Sequence, residues 1–289
     1  MVNFLKNSKS FLKSLVAVIM FSRPVSWGNL KNTQMASECV ILGNGPSLKQ
    51  TLRNHSSSLQ GKNVFCVNDF VASEQFEKVK PGYFVFMDPV FWSGSISDRF
   101  KKVCREYVDK MEKVVDWDMI IFLPAQAKRW NQFQALPQLN NHIRIFYVNT
   151  TEIYCCDKTN FFFYRRNLAM PPMQNVLSAS IFVALNLGYK KIYITGADHS
   201  WHESVKISEK NILYLKNDRF QDSDEKSLSP FFVDPGETTP YRMDNLFRDL
   251  SKMFASYLEL ERYSRSIDAR IYNASEKSFI DAFERRKIK

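Results

Sequence analysis

Short apolar runs recur along the chain, and each stops at a polar or glycine-bearing turn. Cys-Val-Ile-Leu at residues 39–42 ends at Gly43-Asn44-Gly45-Pro46-Ser47, residues 63–67 end at Asn68 and Asp69, and residues 83–87 end at Asp88. Two further runs lie at 119–123 and 144–148. Runs of this length, rich in β-branched and aromatic residues, predict strands. Between them, residues 49–59 and 98–115 have helical character. Apolar strands alternating with helices predict a parallel sheet covered on both faces.

The second half repeats the pattern with its helix first. Val176, Ile181, Phe182, Ala184 and Leu185 lie at helical spacing within 172–187, and Gly188 follows as a C-cap residue. A strand at 191–195 runs into Gly196-Ala197-Asp198-His199-Ser200-Trp201-His202-Glu203. From 204 to 241 periodicity is lost and charge, Ser and Pro accumulate, as in a lid or binding loop. A helix at 243–263, a strand at 269–272 and a basic helix at 279–289 complete the prediction. The expected fold class is α/β: a Rossmann-like, mostly parallel sheet with helices on both faces and a polar lid insertion. The expected domains are an N-terminal segment, 1–36, and a Rossmann-like body, 37–289.

The N-terminal segment has its own pattern. Phe4, Leu5, Phe11, Leu12, Leu15, Val16 and Ile19 recur at helical spacing with Lys6, Lys9 and Lys13 between them. A helix of this kind lies in an anionic membrane interface or packs on the domain, and the periodicity admits both. The apolar run 15–21 is shorter than a membrane span needs, and no small-x-small cleavage site precedes Arg23. The expected location is the cytoplasm, peripheral at the inner membrane.

Composition changes the picture in two respects. Forty Lys and Arg against thirty Asp and Glu give a net charge of +10, which points to an anionic partner. The basic residues are spread along the chain and not clustered among aromatics, so nucleic acid is not the expected one. The five cysteines form no CxxC pair and the sequence has no zinc-ligand spacing, as in a reducing compartment with inert thiols.

Ligands of open parallel sheets bind where the strands end. The turn containing Gly43, Asn44, Gly45 and Ser47 suits phosphate or nucleotide, its glycines permitting close backbone approach; a tight strand-to-helix turn with a Ser cap explains the same residues. Asn68, Asp69 and Asp88 end neighbouring strands and can meet ribose hydroxyls, a base edge or a metal, or cap their loops. The segment 196–203 holds two of the four histidines. His199 or His202 can act as general base, with Asp198 or Glu203 orienting it. Lys206, Lys210, Lys216, Arg219, Tyr241 and Arg242 can close over a phosphate from the insertion, and Tyr164-Arg165-Arg166-Asn167 offers another contact. His55 and His142, in polar segments, read as surface residues.

The order Ile-Leu-Gly-Asn-Gly-Pro-Ser-Leu, Val-Asn-Asp, Met-Asp-Pro, and Ser178-Ala-Ser-Ile-Phe-Val-Ala-Leu-Asn-Leu-Gly-Tyr-Lys-Lys-Ile-Tyr-Ile-Thr-Gly-Ala-Asp198 resembles bacterial sialyltransferases of glycosyltransferase family 42. It is also similar to the motility-accessory flagellin glycosyltransferases and the MptE-like 6-hydroxymethylpterin diphosphokinases that share that core. The resemblance covers residues 38–275 and implies a Rossmann-like sheet with a lid, and a cytidine-monophosphate-activated nonulosonate as donor. It places Asn44 and Ser47 at the donor phosphate or nucleotide, Asn68 beside the donor, and Ser178 and Ser180 near the cytidine, with Asp88 where the family carries asparagine. The family's catalytic histidine lies at the far end of the lid, and residues 231–245 here contain none.

The expectation is a glycosyltransferase with a nucleotide-sugar donor, a glycan or lipid-linked acceptor and no cofactor. Its donor site would comprise Gly43, Asn44, Gly45, Ser47, Asn68, Asp69, Asp88, Ser178, Ser180, Gly196 and Tyr241. Its rivals are a diphosphokinase holding magnesium on Asp69, Asp88 and Asp198, and a non-catalytic nucleotide-binding protein at a membrane.

Overall fold

The computed structural model describes residues 2–23, 25–28, 30, 37–54, 59–92, 98–129, 131–216, 219–220, 228–233 and 239–288, without the side chains of 2–9 and 99. Helix α1 (Val2–Phe21) precedes β1 (Glu38–Leu42), α2 (Leu48–Asn54), β2 (Asn63–Val67), α3 (Gln75–Val79), β3 (Tyr83–Val85) and α4 (Asp98–Val114). Then come β4 (Met119–Pro124), α5 (Leu136–Leu139), β5 (Ile143–Val148), α6 (Asp157–Arg165), α7 (Val176–Leu187) and β6 (Lys191–Thr195). The chain continues through β7 (Lys206–Ile207), β8 (Leu213–Leu215), β9 (Ser229–Pro230), α8 (Met243–Arg265), β10 (Arg270–Asn273) and β11 (Glu284–Arg285).

Eight strands form one sheet in the order β11-β10-β6-β1-β2-β3-β4-β5, and every ladder in it is parallel. Side chains alternate between two cores, as the period of two in a strand requires. Cys39 and Ile41 face the core that holds α7 and Met253, Tyr257, Leu260 and Tyr263 of α8, whereas Val40 and Leu42 face the one that holds Leu48 of α2 and Met111 of α4. Helix α7 is apolar almost all round because it is enclosed: every residue from Leu177 to Leu187 is buried. Asn175 caps its start by accepting from Ser178 N, and Gly188, at φ 103°, ends it. Val18, Trp27 and Leu30 of the N-terminal segment are buried in the same core as α7.

From β1 the chain builds outward to β5, then returns to place β6 on the other side of β1. That reversal is where open α/β sheets form a ligand crevice, beyond the C-terminal ends of the two strands.

Several elements differ from the sequence prediction. The helix expected over 172–187 begins at Val176, because Asn175 takes an extended backbone and serves as the cap. The helix expected over 49–59 is the shorter α2, and 55–58 lie outside the described residues. No helix forms at 279–288: β11 pairs with β10, Ile280 and Phe283 turn into the α7 core, and Arg286 lies over the Tyr272 ring. The insertion is not irregular throughout, since β7, β8 and β9 form an antiparallel sheet. Leu213 and Leu215 of that sheet bury against Leu246 of α8. Strands of two or three residues are too short to leave a periodic signal.

Candidate functional site

The turns after β1 and β6 interlock. Gly43 N donates to Thr195 O at 2.8 Å and Gly45 N to Gly196 O at 2.9 Å. Ser47 donates through its backbone N and, at 2.8 Å, its hydroxyl to the Asp198 carboxylate. The glycines serve this approach: a Cβ on Gly45 would stand 2.1 Å from Asp198 Oδ2, and one on Gly196 (φ 66°) would stand 2.6 Å from Gly43 O. The backbone N–H groups of Gly43, Gly45 and Ser47, in the turn that the sequence offers either to a phosphate or nucleotide or as a tight capped turn, are engaged by β6 and the segment after it. Burial raises the Asp198 carboxyl pKa against the opposing pull of the Ser47 bonds.

Over this floor lies a cavity of about 950 Å³, bordered by Asn44, Asn68, Asp69, Asp88, Asp198, His199 and Glu203 together with the three glycines. Asn44 Nδ2 donates to Val67 O at 3.0 Å, which orients the amide. Asn44 Oδ1 and Asn68 Oδ1 are buried and have no hydrogen-bond partner among the described residues. Buried acceptors are rarely left unpaired, so these two mark a place for donors from a ligand. Asn68 and His199 hold left-handed backbones, φ 44° and φ 55°, a region that asparagine and histidine enter more readily than most residues.

His199 is buried against Tyr257, Trp201 and Phe254, and burial pulls its pKa down from 6.5 to about 3. Asn175 Oδ1 accepts from Ser178 N at 2.9 Å, and Asn175 Nδ2 donates to Tyr257 Oη, also at 2.9 Å. His199 Nε2 lies 2.6 Å from Tyr257 Oη and 3.4 Å from Asn175 Nδ2, so this ring nitrogen is held by the cluster, and burial keeps the imidazole neutral.

The remaining expected residues are scattered. His202 stacks edge-on against Phe279, ring centroids 4.4 Å apart, and does not border the cavity. Ser178 and Ser180 are fully buried in α7, their hydroxyls bonded to Asn175 and Ser256 and to Val176 O. Tyr241 donates to Asp249, and Arg242 pairs with Asp244, both away from the cavity. Lys216 and Arg219 border it, whereas Lys206 and Lys210 do not. Tyr164 bonds Glu259 at 2.5 Å within the core. His142 pairs with Asp118 at the surface, and His55 lies outside the described residues.

Asp69 is engaged twice, accepting from Tyr107 Oη at 2.7 Å and pairing with Arg219 of the insertion. Phe220 stacks on Phe70 and donates its backbone N–H to Asn44 O at 3.1 Å, so the insertion is pinned across the cavity. Asp88 caps its own turn by accepting from Val90 N. Among the described residues, no three metal-ligating side chains come together.

Sequence reasoning missed Lys277, which borders the cavity and pairs with Glu203 at 2.7 Å. It follows β10, so the strand-end rule that found Asn68 extends to it. Tyr257 carried no such signal, because it sits in the middle of α8 and reaches His199 only through the packing of α8 on α7.

The fold and cavity define an α/β protein of the open parallel class with a crevice at its strand reversal. No family model and no curated protein matches the chain. Among solved structures it is similar to the MAf glycosyltransferase from Magnetospirillum magneticum AMB-1, with a TM-score of 0.47 and 11% identity over 97% of this chain. The chain spans 38% of that protein's length.

Proposed function

We propose that the protein is a glycosyltransferase that moves a sugar, sialic acid-like, from a CMP donor to a cell-surface glycan acceptor. The observation that carries this reading is the pair of unpartnered, buried oxygens on Asn44 and Asn68, in a cavity also bordered by Lys216, Arg219 and Lys277. A ligand that suits both sets offers hydrogen-bond donors and negative charge, as a nucleotide-sugar does. The volume suits a ligand of that size.

In the reaction, the acceptor oxygen attacks the anomeric carbon, the bond to the donor phosphate breaks, and CMP leaves with the electron pair. Lys216 and Lys277 offset the charge gathering on that phosphate. His199, a neutral imidazole on the cavity border, hydrogen-bonds a donor oxygen. The acceptor proton passes to Glu203, the carboxylate at the cavity border left partly exposed beside Lys277. Asp198 keeps the two turns locked.

The rival diphosphokinase reading needs magnesium on Asp69, Asp88 and Asp198. Asp69 is engaged by Arg219 and Tyr107, Asp88 caps its own turn and Asp198 is bound by Ser47, and among the described residues no three metal-ligating side chains come together, which favours the transferase reading.

CMP release from a CMP-nonulosonate tests the assignment. Glu203→Gln is expected to lower turnover by about a hundredfold or more, while His202→Ala leaves it near wild type. Full activity in Glu203→Gln, or loss confined to His202→Ala, would return the base role to an imidazole.

A further inference from the structure

Helix α1 has two different faces. Ser14 and Val18 are buried, and Leu15 and Ala17 pack against the α7 core. Leu12, Val16, Ile19, Met20 and Phe21 point outward, between 46% and 72% exposed, with Lys13 exposed among them. A contiguous apolar stripe of this kind on a surface helix marks a docking face.

Charge identifies what docks there. Five Lys and Arg and no Asp or Glu precede Glu38. A second copy of the helix would set like charges against each other, whereas an anionic bilayer supplies both an apolar phase and negative headgroups. Among the described residues no helix is long and apolar enough to cross a membrane, so α1 can lie in the interface but not span it.

The position of α1 ties this surface to the cavity. Just beyond its end, Ser22 Oγ accepts from the buried Asn149 Nδ2 at 2.5 Å, and Arg23 O accepts from the same group at 3.3 Å. Thr150, next in the chain, borders the cavity. We propose that the outer face of α1 seats the protein on an anionic lipid bilayer, with the cavity held beside the lipid surface. Resting on the transferase reading, this makes the acceptor a lipid-linked glycan.

Co-sedimentation of the full chain with vesicles, in the absence of nucleotide, tests the seating separately from the reaction. The protein is expected to pellet with vesicles containing one third phosphatidylglycerol. It should bind at least about tenfold more weakly to pure phosphatidylcholine and be released by salt. The combined Leu12→Glu, Ile19→Glu and Met20→Glu variant, altered only at exposed positions, should lose binding while keeping its melting temperature. Lys13→Glu should weaken it. Wild-type protein that stays in the supernatant with both vesicles overturns the proposal. So does a triple variant that pellets like wild type, or a dimer abolished by the triple variant without vesicle binding. If seating holds and no CMP-sugar is turned over, the membrane surface stands and the transferase reading falls.

Discussion

The floor and the roof of the cavity are held in different ways. The floor is a lock between two turns, in which Gly43, Gly45 and Ser47 donate to Thr195, Gly196 and Asp198 and the turns come too close for added side chains. The roof, contributed by the insertion after β6, has strands of two or three residues and a small apolar cluster around Leu213, Leu215 and Leu246. It reaches the floor side through Arg219 on Asp69 and Phe220 on Phe70 and Asn44 O. Substitution in the floor should therefore unfold the protein, and substitution in the roof should change ligand affinity with little loss of stability.

The largest effect is expected at Gly45→Ala. Its Cβ would collide with the Asp198 carboxylate and the Gly196 carbonyl, costing about 3–5 kcal/mol or abolishing folding, as urea denaturation would report. Tyr257→Phe removes the hydroxyl that His199 and Asn175 share, at a cost of about 1–2 kcal/mol.

Two buried groups at the cavity, His199 and Asp198, respond to pH in opposite senses. His199 has a folded pKa of about 3 against 6.5 unfolded, so the unfolded chain binds the extra proton between those values. Its contribution is full above pH 6.5 and is lost as the pH falls toward 3, at up to about 1.4 kcal/mol per pH unit. The raised Asp198 pKa acts in the opposite sense: its contribution is present at pH values below 3.8 and is lost as pH rises through the folded value. The difference between wild type and His199→Asn, which keeps a side chain suited to the left-handed backbone, isolates the imidazole. The variant should lose less stability on acidification.

In the roof, Arg219→Gln should cost no more than about 1 kcal/mol in denaturation while changing nucleotide affinity by about tenfold, because it releases the pairing with Asp69. Smallest of all, His142→Ala removes a surface pairing with Asp118 and should alter stability by less than about 0.5 kcal/mol.

The same division governs what the sequence revealed. Apolar runs such as 39–42 and 191–195 announced the central strands, and their polar ends announced Asn44, Asn68 and Asp198, because a parallel sheet joins strand ends at one crevice. The glycines of the first turn were legible as a close approach, but a single segment does not reveal what approaches. That was the Gly196 backbone, 153 residues after Gly43. Two adjacent histidine candidates looked alike in sequence and part company in the fold: His199 turns in toward Tyr257 and His202 turns out to Phe279. That choice depends on α8 and the C-terminal segment, which local pattern cannot place. The terminal residues 279–288 carry a helix-like mixture of apolar and basic positions, yet pairing with β10 and the burial of Ile280 and Phe283 override it.

The central claim is that the crevice between the ends of β1 and β6 binds a nucleotide through Asn44 and Asn68. Calorimetric titration of the full chain with CMP, UDP, GDP and ATP, each with and without magnesium, tests it most directly. The account predicts that CMP binds without metal, and that Asn44→Ala and Asn68→Ala each weaken that binding by about tenfold with folding intact. A chain that binds none of these at millimolar concentration, or binds ATP only with magnesium, contradicts it.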